Sequence, residues 1–185
     1  MIGIATLWLP ILVSAVVVFV VSSVVHMFAG YHAGDFRKYP QQEALLDRLR
    51  ADGATPGDYM LPRPASMQEM RTKEFIDLVN RGPVVVMSVG PGGMGMNRSL
   101  SLWFLYLLAM GACCAYIGTR ELGAGASYLA VFRLTGFAAF MGYSMALPQA
   151  SIWYHRNWRM TLVTMADGLL FAALTGGVFG WLWPR

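Results

Sequence analysis

The sequence predicts an all-α membrane fold, with four transmembrane helices and a small cytoplasmic α+β cap between helices 1 and 2. Three observations carry that expectation. Of the 185 residues, 56% are hydrophobic and only 13% charged, whereas a soluble domain has roughly 45–50% apolar and about 25% charged residues. Mean hydropathy is positive, at +0.49. Four separate stretches stay apolar for about 20 residues, the length a helix needs to cross the hydrocarbon core. The expected organisation is helix 1 over residues 1–30, the cap over 31–98, and helices 2 to 4 over 99–185.

The first stretch, Leu7 to Ala29, lies in a segment free of Lys, Arg, Asp and Glu from Met1 to Gly34. It lacks the basic start, short apolar centre and small-residue cleavage site of a secretory signal. The second runs from Leu100 to Thr119 between Arg98 and the Arg120-Glu121 pair. The third runs from Gly125 to Leu147, where Pro148 is expected to end it. The fourth covers Met160 to Trp183. An open sheet edge cannot face lipid, so all four read as helices.

The cap reads as helix, strand, helix, strand. Leu45, Leu46 and Leu49 share one face of a short helix that Asp52-Gly53 stops. Tyr59-Met60-Leu61 is then bounded by prolines, and a second helix starts either at Ser66, with Glu69 completing a capping box, or at Thr72. Val84 to Val89 reads as a strand that the Tyr59 piece can pair, since a lone strand leaves its backbone groups unsatisfied. Eleven of the basic residues fall in the first and third loops, against Arg120 and Arg185 on the other side. The positive-inside rule then puts residues 31–98 in the cytoplasm and both termini outside.

The formal charge of +4 is small and interleaved with acids, which argues against nucleic acid as a partner. Cys113 and Cys114 are adjacent within an apolar run and read as small packing residues. Gly90-Pro91-Gly92-Gly93-Met94-Gly95 superficially resembles a phosphate loop, yet it lacks the following Lys-Ser/Thr. No Ser-His-Asp spacing, paired carboxylates or HExxH motif appears, so neither catalysis nor a cofactor is expected.

Arg133 and Asp167 are the only charges inside the spans. A charge at membrane depth normally faces protein and finds a partner, and the expected depths differ by roughly 5–10 Å at 1.5 Å rise per residue. An Arg133–Asp167 ion pair joining the third and fourth helices is therefore expected. Small residues at four-residue spacing, Gly168, Ala172, Gly176 and Gly180 on the fourth span and Ala138, Gly142 and Ala146 on the third, suggest close packing there. His26, His32 and His155 are all expected at the cytoplasmic boundary, where they form the candidate set for a haem or copper ion.

The segments GDYMLPRP (57–64), MQEM (67–70), GPVVVMSVG (82–90) and the terminal FGWLWPR (179–185) give nearly the whole chain a resemblance to small bacterial four-helix integral membrane proteins. That group has no assigned activity, so the resemblance implies bacterial origin and topology alone. The expected function is that of a non-catalytic accessory, stabilising or assembly subunit of a respiratory or photosynthetic complex. Its expected partners are the lipid bilayer and other membrane proteins or further copies of itself. A small redox protein using His26 and His155, and a small transporter or channel around Arg133 and Asp167, are the alternatives.

Overall fold

A computed structural model describes residues 2–93 and 95–185. The chain divides into two compact units, Met1–Arg37 with Gly95–Arg185, and Lys38–Met94.

The first unit holds four segments long and apolar enough to cross a membrane: Ile4–Phe28, Met96–Glu121, Tyr128–Tyr154 and Trp158–Trp181. The first is a 3-10 turn, Ile4–Leu7, running into helix α1, Trp8–Phe28. The second unit contributes helices α2, Gln42–Ala51, and α3, Lys73–Arg81. In the first unit, α4 spans Met96–Glu121, α5 Tyr128–Ser144, α6 Pro148–Tyr154 and α7 Trp158–Trp181.

Pro148 does not close the third apolar segment. It occupies the first turn of α6, where its missing N–H leaves no hydrogen bond unmade, so the apolar stretch continues to Tyr154 after a break at Met145–Leu147. Ser127 caps α5 by accepting from the Ala130 N–H, and Asn157 caps α7 by accepting from the Arg159 N–H at 2.8 Å.

Two apolar clusters hold this unit together. Leu7, Cys114, Val131, Ala139, Ala172 and Phe179 form one, and Ala15, Val18, Leu107 and Phe171 form the other. Where α5 meets α7 the backbones nearly touch. A Cβ built on Gly176 would lie 2.9 Å from both the Gly136 Cα and the Phe132 carbonyl oxygen. Gly180 presses on Tyr128, Gly168 on Tyr143 and Ser144, and Ala172 is buried. The α5 side of this seam runs through Phe132 and Gly136. Gly142 instead faces Met110 of α4, and Ala146 is exposed beyond the end of α5. Of the small-residue row expected on the third span, only Ala138 is half-buried against the first apolar cluster.

In the second unit, strand β1, Gly57–Leu61, pairs antiparallel with β2, Val85–Val89, with Tyr59 opposite Met87. Of the two alternative starts, the helix takes Thr72, and the Glu69 carboxylate accepts from the Ala65 N–H, not from that of Ser66. Ser66 accepts from the Glu69 N–H at 3.1 Å ahead of a 3-10 turn, Glu69–Arg71, and Thr72 accepts from the Phe75 N–H at the start of α3. Gly82, at a φ of +60°, ends that helix. No described residue of this unit is fully buried. Of the glycine-rich run 90–95, Met94 lies outside the described residues.

Candidate functional site

Polar chemistry in the first unit gathers where α1 ends. Apolar residues carry α1 to Phe28, and Gly30, at a φ of +68°, then turns the chain in a conformation that L side chains rarely adopt. The reversal brings His32 back over His26, their rings stacked with centroids 4.4 Å apart and planes within 9°. The segment after the turn lies along α7. Arg159, in the first turn of α7, donates to the Tyr31 carbonyl at 3.1 Å and reaches the Asp35 carboxylate at 3.4 Å. Asp167 is eight residues further, a rise of about 12 Å at 1.5 Å per residue.

Asp167 is 4% exposed and receives two groups from the turn. Tyr31 donates its hydroxyl to Oδ1 at 2.5 Å, and His32 Nε2 lies 2.9 Å from Oδ2. Desolvation and the adjoining carboxylate push the Tyr31 hydroxyl up to about 12, so it stays protonated and donates. The two contacts differ in kind. Although His32 Nε2 and Asp167 Oδ2 are close, neither makes a hydrogen bond, because the ring is not oriented to aim an N–H at the oxygen.

A second layer orients the rings. His32 Nδ1 is 2.7 Å from Asp35 Oδ2, and His26 Nδ1 is 2.9 Å from the Ser22 carbonyl oxygen. Both neighbours can only accept, so each Nδ1 carries the proton and each Nε2 keeps a lone pair in the neutral ring. One ligand atom from each of His26, His32 and Asp167 lies within 4.8 Å of the other two.

The expected Arg133–Asp167 pair is not formed. Asp167 accepts from Tyr31 at one oxygen and sets the other beside His32, while among the described residues no carboxylate pairs with Arg133, which is exposed. Depth and azimuth both decide this: Ser144 donates to the Met165 carbonyl and packs on Gly168, so Asp167 lies level with the end of α5, about 16 Å along the helix from Arg133. The buried line of α5 is Val131, Thr135 and Ala139, and Arg133 is two residues off that line, about 200° around the helix. His155 also stands apart, at the end of α6 and outside the His26–His32–Asp167 cluster. Tyr31, Asp35 and Arg159 were not singled out from the sequence. Asp35 at the i+3 position from His32 was the available signal, and Arg159 had only its place in a basic stretch.

No protein-family model, curated protein or solved structure matches the chain.

Proposed function

We propose that this chain is an accessory or assembly subunit of a larger bacterial membrane complex, respiratory or photosynthetic, held in the inner membrane with residues 31–98 in the cytoplasm. The supporting observation is Arg133. Leu129 and Phe137, one turn to either side on α5, are exposed with it, so an apolar face carries a single cation. A guanidinium at membrane depth costs at least about 2.5–3.5 kcal/mol on insertion scales unless a counter-charge meets it. The complement is a partner's transmembrane helix with an Asp or Glu at the same level, and α5 offers that helix a flat apolar surface on either side of the charge.

The transporter alternative joined Arg133 and Asp167 in one polar path, and the two residues lie on different faces. A photo-crosslinking residue at Phe137, activated in native membranes, tests the subunit reading. The expected product is one discrete adduct whose partner carries an acid within its span, and Arg133→Leu abolishes it. Recovery of the chain alone, or an adduct indifferent to Arg133→Leu, overturns the reading.

A further inference from the structure

We propose that His26, His32 and Asp167 form a binding site for a divalent transition-metal ion of the zinc class, independent of any partner that docks on α5. The argument begins with two buried acceptors. Asp35 fixes the His32 proton on Nδ1, leaving the Nε2 lone pair 2.9 Å from an Asp167 oxygen. Both atoms are buried and lack a hydrogen bond, and such an atom calls for an ion, a water or a proton to explain it. A second proton on His32 would answer only if the N–H pointed at the oxygen, and it does not. A cation coordinated by both atoms satisfies both.

The distances suit a metal. Bonds of about 2.0–2.2 Å to nitrogen and oxygen place neighbouring ligand atoms roughly 3–3.5 Å apart. The His32–Asp167 edge is close to that range already, and the exposed His26, within 4.8 Å, closes the third edge by turning its ring out of the stack with His32. The surroundings are those of a metal site too. Each imidazole hands its other nitrogen to a carboxylate or a backbone carbonyl, which fixes the tautomer and raises ligand basicity. Tyr31 occupies Asp167 Oδ1 and leaves Oδ2 as the coordinating oxygen. Two imidazoles and one carboxylate, with no thiolate, select a borderline divalent ion over Cu(I) or an iron–sulfur cluster. Three protein ligands leave a fourth position, on the exposed His26 side, for water or an exogenous ligand.

The test uses the full-length protein in detergent, stripped with chelator, then titrated with Zn2+ and separately with Co2+. We expect about one Zn2+ retained per chain after gel filtration, and a Co2+ absorption band of four- or five-coordinate intensity. His26→Ala removes an exposed ligand without touching the core and weakens Zn2+ binding at least about tenfold. Asp167→Asn abolishes stoichiometric retention, with circular dichroism confirming helix content. His155→Ala, outside the cluster, leaves binding unchanged. Wild-type protein that is helical yet retains no Zn2+ overturns the proposal, as does retention equal in wild type, His26→Ala and Asp167→Asn. Failure of the crosslink at Phe137 bears on the docking face alone.

Discussion

Helix α7 is held in two different ways along its length. Toward its C-terminal half, Gly176 and Gly180 remove side chains so that α5 can approach to backbone contact. Nearer its start, Arg159 and Asp167 reach across to Tyr31, His32 and Asp35 and hold the turn after α1 by charge and hydrogen bonds. The first contact is steric and needs no particular partner chemistry. The second depends on each polar group having the right neighbour, because a buried group such as Asp167 has no bulk water to replace a missing one. A small residue at the seam tolerates change on one side only, whereas the polar contact fails from either side.

That contrast can be broken experimentally. The largest effect is expected from Asp167→Ala, which leaves Tyr31 and His32 facing a gap. Removing the acceptor of the Tyr31 hydroxyl costs about 3 kcal/mol, the upper end for a hydrogen bond to a charged group, readable as a lowered midpoint in reversible detergent unfolding. A loss no greater than that of an exposed substitution would show that the polar contact contributes little.

Next comes the glycine seam, where the effect is directional. Gly176→Ala drives a methyl into the Gly136 Cα and the Phe132 carbonyl, both backbone, and should cost about 1–3 kcal/mol. Gly136→Ala meets its nearest atom, the Ala172 carbonyl oxygen, at 3.5 Å, ordinary contact, and should cost less than about 1 kcal/mol. Equal losses for the two would mean that the helices are not seated as described.

The smallest effect separates the two charges once expected to pair. Arg133→Gln should leave the isolated protein within about 0.5 kcal/mol of wild type, as an exposed residue with no ion pair among the described residues would. Were its loss to match that of Asp167→Ala in the same unfolding assay, the two residues would be energetically coupled after all.

Much of the fold is legible in short stretches of sequence. The four apolar segments, the Thr72 and Ser66 caps, the stop at Gly82 and the pairing of Gly57–Leu61 with Val85–Val89 all follow from local pattern. The error over Pro148 is also local: a proline both ends one helix and suits the first turn of the next, and the sequence does not say which role applies. The polar site was legible only in part. His26 and His32 stood out as histidines at the end of a span, but what brings their rings together is the positive-φ turn at Gly30.

By itself the sequence determined how much of the chain is apolar, where the four long apolar segments fall, and which residues carry charge into them. These depend on interactions among residues a few positions apart, which composition and spacing record directly. Only the tertiary structure decided which face each charge points to. Asp167 meets Tyr31, 136 positions away, and not Arg133. One residue of rotation about a helix axis moves a side chain by 100°, and that rotation is set by how α1, α5 and α7 pack against one another.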